Sequence, residues 1–181
     1  MNFELLKEKA RRIIHHREFM SDKELRLRGL TLGENCVVST NKIDLGHAFL
    51  ITIGDNTTLS DCRILAHDAS TKNRLGYSKV GGVKIGSNCF IGADAIILPG
   101  VVIGDDCIVG AGSVVTKSIP RGSVVVGNPA RIIGSSEDYI QRNISNMKTA
   151  PVYDLYWKEK TEAEKRKMKD ELVDGVIGYD I

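Results

Sequence analysis

The chain has 181 residues, a net charge of only +2, and is 42% hydrophobic and 27% charged. This length predicts one domain with appendages. The basic residues are scattered, which argues against a nucleic-acid-binding surface. No apolar run approaches the roughly 18 residues of a membrane span. Charges interrupt every apolar stretch near the N-terminus, so a signal peptide is not expected either.

Residues 1–28 are predicted to form an N-terminal helical segment. Within it, apolar residues recur at helical spacing with Lys and Arg between them. They are Phe3, Leu6, Ala10, Ile13 and Ile14. The spacing predicts a short amphipathic helix from Phe3 to about Phe19, ahead of the main domain.

A six-residue repeat dominates the middle of the chain. Aliphatic residues stand six apart at Ile85, Ile91, Ile97, Ile103, Val109 and Val115. A second, mostly small residue follows each of them four places on, at Cys89, Ala95, Val101, Cys107, Ser113 and Ile119. Such a repeat predicts a parallel β-helix over residues 29–133, in which three hexads close one triangular turn and stacked turns bury a continuous aliphatic prism. A β-sandwich or barrel with glycine turns is the alternative, but it does not require fixed spacing.

The repeat is less regular toward the N-terminus. Ile53, Leu59 and Leu65 fit the six-residue period, and the register varies through residues 41–50. Leu65 and Ile85 are 20 residues apart, which is one 18-residue turn plus two extra residues. The polar, glycine-containing stretch at about residues 70–83 does not follow the repeat, so we interpret it as a loop extruded at one corner of the prism.

Residues 134–181 are predicted to form a helical C-terminal extension, because the repeat stops after Arg131. Ser135–Asn146 has a helical pattern. Further on, Thr161 and Glu164 have the spacing of a capping box that opens a charged helix.

The four cysteines do not indicate a disulfide framework or a structural zinc site, since no CxxC pair occurs. Cys36, Cys89 and Cys107 fall at the small inward position of a hexad, and Cys62 is placed at a corner. Free cysteines of this kind fit a reduced, cytoplasmic setting.

Three stretches carry a resemblance to a known family. They are LAHDAS at 65–70, IGSNCFIGADAIILPGVVIGDDCIVGAGSVVTKSIP at 85–120 and VVVGNPAR at 124–131. In this order they resemble the hexapeptide-repeat acyltransferases, particularly the sugar and polysaccharide O-acetyltransferases. The resemblance implies a left-handed β-helix, a homotrimer with active sites between subunits, and acetyl-CoA bound in the groove between adjacent prisms.

Acetyl transfer to a hydroxyl requires a base for the proton, N–H donors for the oxyanion and cations for the phosphates of the coenzyme. His67 lies on the coils just before the extruded loop and, by resemblance, matches the catalytic base. Asp68 follows it directly and is a weaker candidate for orienting it, because successive side chains diverge in extended backbone. The remaining matches also rest on the resemblance: Ala93 would donate its backbone N–H to the oxyanion, Ala111 and Gly112 would line the pantetheine arm, and Thr116, Lys117 and Arg131 would meet the adenosine-phosphate part.

A metal centre is not predicted. The γ-class carbonic anhydrases share the β-helix fold, but their zinc needs three histidines that converge from neighbouring coils of two subunits. This chain has His15, His16, His47 and His67, of which the first two fall in the N-terminal segment.

The sequence thus predicts an acetyl-CoA-dependent O-acetyltransferase acting on a sugar or glycan-precursor hydroxyl, with histidine as general base. The first alternative is N-acetylation of an amino sugar or nucleotide-sugar. A non-catalytic β-helix scaffold is the second, and it predicts no specific binding of coenzyme A.

Overall fold

The computed structural model describes residues 19–181. Residues 3–18 of the predicted N-terminal helix therefore lie outside the described part of the chain. A short helix, α1 (Asp22–Leu27), precedes the coils. It begins with a capping box, in which the Ser21 side chain accepts from the Glu24 N–H and the Glu24 side chain accepts from the Ser21 N–H.

The central part of the chain winds through three parallel sheets, which form the three sides of a prism. Sheet A contains β1 (Thr31–Leu32), β4 (Ile51–Ile53), β9 (Val83–Ile85) and β12 (Val102–Ile103). Sheet B contains β2 (Val37–Ser39), β5 (Thr58–Ser60), β10 (Phe90–Ile91), β13 (Ile108–Val109) and β15 (Ser123–Val126), with β16 (Arg131–Ser135) antiparallel at its end. Sheet C contains β3 (Lys42–Ile43), β6 (Arg63–Ile64), β11 (Ile96–Ile97) and β14 (Val114–Val115). The fold is thus the predicted left-handed parallel β-helix with helical appendages.

The core is the aliphatic interior of this prism. Ile85, Ile91, Ile97, Ile103, Val109 and Val115 are each at most 1% exposed. The second residues of the hexads are buried as well, so both inward positions that the repeat predicts are confirmed. Burial of apolar surface contributes about 25 cal/mol per Å² to the stability of a fold. In this fold the apolar surface is buried because successive coils stack on one another.

The six-residue spacing slips by one at Asp61, which corrects the predicted register. Ile64, five residues after Leu59, is fully buried and pairs with Ile97, whereas Leu65 is only partly buried. Asp61 adopts a left-handed φ of 43° and turns the chain one residue early. Cys62 consequently lies in the core rather than at an exposed corner, while Cys36 is only partly buried.

The corner between sheets C and A, which we call the third corner, carries two insertions on successive coils. Ile43 and Ile53 are ten residues apart across it, and Ile64 and Ile85 are twenty-one apart, where a regular hexad needs six. The first insertion is the 3₁₀ segment Leu45–Leu50. The second insertion is larger. It comprises β7 (His67–Asp68), the 3₁₀ turn Ala69–Thr71, α2 (Lys72–Leu75) and β8 (Lys79–Val80), and β7 pairs antiparallel with β8.

The C-terminal residues Glu137–Ile181 form a second compact unit. Helix α3 (Ser136–Met147) leads into it. Strands β17 (Val152–Tyr153) and β18 (Tyr179–Asp180) pair in parallel within it. Helix α4 (Glu162–Glu171) begins with the predicted capping box of Thr161 and Glu164. None of the helices between residues 19 and 181 is long and apolar enough to cross a membrane.

Candidate active site

Three polar side chains meet at the third corner: Asp44, His47 and His67. Asp44 follows β3 directly, and its backbone N–H donates to the Ile64 carbonyl, which aligns it with the residues that follow β6. His47 lies in the 3₁₀ segment of the first insertion, and His67 opens the second. The two insertions therefore bring together two histidines that are 20 positions apart in the sequence.

His67 is held by Asp44. The Nδ1 of His67 lies 2.5 Å from Oδ2 of Asp44, and the Ala66 N–H donates to the same oxygen at 3.2 Å. The side chain of Asp44 is 5% exposed, whereas that of His67 is 38% exposed. A buried carboxylate thus anchors an imidazole whose ring still reaches solvent.

The charge state of Asp44 determines which nitrogen of His67 carries the proton. Burial disfavours the charged carboxylate, but the hydrogen bonds from His67 and then His47 outweigh it and hold the pKa of Asp44 below its ordinary value of 3.8. An ionised carboxylate only accepts hydrogen bonds, so Nδ1 of His67 is the donor. In the neutral ring, Nε2 then carries the free lone pair that a general base requires.

His47 contacts the other oxygen of the same carboxylate. Its Nδ1 lies 3.4 Å from Oδ1 of Asp44, and its ring centroid is 4.7 Å from that of His67. Asp44 therefore bridges two histidines. This bridge could not be predicted from the sequence, because Asp44 and His47 belong to the irregular stretch at residues 41–50.

Asp68, the weaker candidate for orienting His67, has other partners. Its Oδ2 lies 2.6 Å from Nζ of Lys79, and its Oδ1 accepts from the Ser70 N–H at 2.8 Å. The ion pair with Lys79 and the hydrogen bond from Ser70 lower the pKa of Asp68 to about 2. Asp68 thus fixes the base of the extruded loop, and Asp44 is the residue that contacts His67.

Apart from Arg131, the other predicted site residues lie at two different corners. Ala93, Ala111 and Gly112 stand at the corner between sheets B and C, which we call the second corner, on successive coils. The Gly112 N–H donates to the Ala93 carbonyl at 2.8 Å. All three residues are exposed. Within residues 19–181 the Ala93 N–H has no backbone acceptor.

Thr116 and Lys117 stand at the third corner, two coils beyond His67, and both are exposed. Arg131 opens β16, where its Nη1 donates to the carbonyls of Pro129 and Ala130. A single chain thus carries His67 with Thr116 and Lys117 on one corner, and Ala93 with Ala111 and Gly112 on another.

Comparison with known proteins identifies the family. Residues 82–117 match the family described as hexapeptide repeat of succinyl-transferase. The chain is 39% identical to protein CapG of Staphylococcus aureus over 134 residues, covering 70% of this chain and 78% of that protein. It is 42% identical to the putative acetyltransferase YvoF of Bacillus subtilis over 93 residues, which span about half of each chain (51% and 52%). A maltose O-acetyltransferase from Clostridium difficile is similar in structure, with 28% identity, a TM-score of 0.48, and coverage of 74% of this chain and 89% of that one.

The chain therefore belongs to the hexapeptide-repeat acyltransferases. This membership confirms the predicted enzyme class, an acyltransferase.

Proposed function

We propose that the protein is an O-acetyltransferase that acts on a sugar or glycan-precursor hydroxyl, with His67 as general base and Asp44 as the residue that positions it. The observation that carries the proposal is the 2.5 Å contact between the buried Asp44 carboxylate and Nδ1 of the solvent-accessible His67. A hydroxyl is a weak nucleophile at neutral pH, and a base held in this way supplies what the reaction needs.

In the proposed reaction, Nε2 of His67 takes the proton of the acceptor hydroxyl while the hydroxyl oxygen attacks the thioester carbon of acetyl-CoA. The negative charge of the tetrahedral intermediate falls on the former carbonyl oxygen, and the backbone N–H of the exposed residue Ala93 is the proposed donor to it. Collapse of the intermediate breaks the carbon–sulfur bond. The imidazolium returns the proton to the sulfur, which leaves as the thiol of coenzyme A. Asp44 stays ionised throughout and stabilises the imidazolium.

The proposed coenzyme contacts lie at these two corners and at the start of β16. Ala111 and Gly112 carry no bulky side chain, which permits close approach of a pantetheine arm to the backbone. Lys117 and Arg131 are the proposed cations for the phosphates, with Thr116 beside Lys117.

A homotrimer is part of this proposal. A base and an oxyanion donor must both lie about 3 Å from the reacting atoms. The side of the prism between the second and third corners spans about four residues at about 3.3 Å each, so His67 and Ala93 of one chain are too far apart to share a substrate. A neighbouring prism that presents its second corner to the third corner of this one would complete the site. We place the enzyme in the cytoplasm, which the four free cysteines support.

The test is thiol release from acetyl-CoA by the purified full-length chain with a panel of hydroxyl and amino sugars. We expect release that depends on a hydroxyl sugar. Transfer confined to amino sugars would replace the proposal with N-acetylation. No release, together with no saturable binding of coenzyme A, would replace it with the scaffold.

A further inference from the structure

A second property of the third corner follows from the same three side chains. Asp44, His47 and His67 each offer one ligand atom, and these atoms all lie within 4.8 Å of one another. No other group of three His, Cys, Asp or Glu residues in the described part of the chain meets this condition. We infer that Asp44, His47 and His67 bind a transition-metal dication of the Zn²⁺ type, and that this ion inhibits the acyl transfer.

The ligand set selects the class of ion. Two imidazoles and one carboxylate suit Zn²⁺ and its neighbours among the transition metals, whereas Mg²⁺ and Ca²⁺ prefer sites built from oxygen. The buried carboxylate has its two oxygens directed to the two rings, so all three ligands already converge. Three protein ligands also leave room for water at the remaining positions.

Two of the three separations between these ligands need only a small adjustment to hold the ion, and the third, between the two histidines, is at most 4.8 Å. Zn²⁺ sits about 2.0–2.2 Å from nitrogen and oxygen ligands, so neighbouring ligand atoms are separated by about 3–3.5 Å. The separation of 3.4 Å between His47 Nδ1 and Asp44 Oδ1 is already in this range. The separation of 2.5 Å between His67 Nδ1 and Asp44 Oδ2 must widen by less than about 1 Å. His67 is 38% exposed and His47 is 32% exposed, so neither ring is enclosed on all sides.

The inhibition rests on the proposed function. An ion at this site takes a ring nitrogen of His67 and an oxygen of Asp44, so the base loses its positioning carboxylate and the ring is fixed by the metal. The ion thus inhibits the transfer by occupying the catalytic base, and it has no role as a cofactor.

The test is isothermal titration of the full-length chain with Zn²⁺, with Mg²⁺ as the comparison ion. We expect one Zn²⁺ per chain whose affinity falls at least 10-fold in His47→Gln and in Asp44→Asn. Asp68→Asn is the matched control, since Asp68 adjoins His67 in sequence but its carboxylate contacts Lys79. The double variant His15→Gln/His16→Gln should retain the site, because all three proposed ligands remain in it.

Zn²⁺ affinity that is the same in wild type, His47→Gln and Asp44→Asn would overturn the inference. If Asp44→Asn does not fold, His47→Gln alone decides. Binding is measured without acetyl-CoA, so the metal site stands or falls independently of the transferase. In an active enzyme, Zn²⁺ should also inhibit thiol release with a midpoint near its dissociation constant. Zn²⁺ that binds without slowing release would overturn the inhibitory part.

Discussion

At the scale of single residues, the contact between Asp44 and His67 is the feature on which the function depends. His67 could be predicted from the LAHDAS motif by resemblance. Asp44 could not, because it precedes His67 by 23 positions and the register around it is irregular. Their proximity depends on Ile43 and Ile64 occupying equivalent positions in sheet C, and the shortened hexad at Asp61 conceals that alignment in the sequence.

We predict that Asp44→Asn lowers kcat by about 10²-fold or more, since loss of the carboxylate that selects the tautomer of a catalytic histidine impairs proton transfer. Steady-state thiol release measures this, and a titration with coenzyme A should show unchanged binding. Asp68→Asn, which leaves the contact with His67 intact, should retain most of the activity. Equal losses in the two variants would contradict the positioning role.

The pH dependence of the rate should not report Asp44. Its pKa is lowered from 3.8, so it remains charged on both sides of neutrality, and its protonation should slow transfer only as the pH falls below about 4. A pH–rate profile of the wild type tests this. A step in kcat between pH 5 and 8 that is present in the wild type and absent from Asp44→Asn would mean that Asp44 titrates in that range, and it would contradict the account.

At the scale of elements, the corners explain both the success and the error of the sequence-based register. The corner between sheets A and B carries a ladder of side chains, in which Asn35 donates to Asn56, Asn56 to Asn88, and Asn88 to Asp106. All four have a left-handed φ. Arg121 ends the ladder with an ion pair to Asp106 at 2.7 Å. Asparagine and aspartate tolerate this backbone conformation, so the hexads containing them could be predicted. The shortened hexad at Asp61 could not be predicted, because its turn residue is an aspartate like those of the regular hexads.

We predict that Asn88→Gly is more stable than Asn88→Ala by about 1–2 kcal/mol, the cost of a left-handed conformation for a residue with a Cβ. Both variants lose the ladder contacts, so their difference isolates the backbone effect. Denaturant unfolding measures it. Equal stabilities of the glycine and alanine variants would contradict the conformational requirement.

Close stacking of the coils makes a second prediction. A Cβ at Gly104 would lie 2.5 Å from the Arg121 backbone N, whereas one at Gly134 meets nothing within 4 Å. Gly104→Ala should therefore lower the free energy of unfolding by about 1–3 kcal/mol, the usual cost of overpacking. Gly134→Ala should change it by less than about 0.5 kcal/mol. Similar losses of unfolding free energy in Gly104→Ala and Gly134→Ala would contradict the tight packing of coils at Gly104.

At the scale of the whole molecule, the repeat predicts the β-helix, while the C-terminal unit is less predictable because it follows no repeat. Within that unit, Lys160 is only 7% exposed, and its Nζ donates to Asp180 at 2.6 Å and to the Leu155 carbonyl. A lysine in a run of charges gives no signal in the sequence that it is buried. Its partner, Asp180, is 20 positions away in the sequence and belongs to β18, which pairs with β17.

We predict that Asp180→Ala destabilises this unit by up to about 3 kcal/mol, since it leaves a buried ammonium group without its counter-charge. Lys160→Met, which removes the charge and keeps the volume, should cost less. Thermal unfolding of the two variants gives the order. A larger loss in Lys160→Met would mean that the pair, rather than the unpaired charge, governs stability.

The proposed homotrimer has a direct check. Sedimentation equilibrium should give three chains of 19.9 kDa, about 60 kDa in total. A stable monomer would leave His67 and Ala93 on separate corners without a partner, and it would contradict the shared site.

The most direct test of the central claim compares wild type with His67→Ala in thiol release from acetyl-CoA, using an acceptor on which the wild type is active, alongside a coenzyme A titration. We predict a fall in kcat of about 10²–10⁴-fold with coenzyme A affinity unchanged. Full activity in His67→Ala would contradict the assignment of the third corner as the active site.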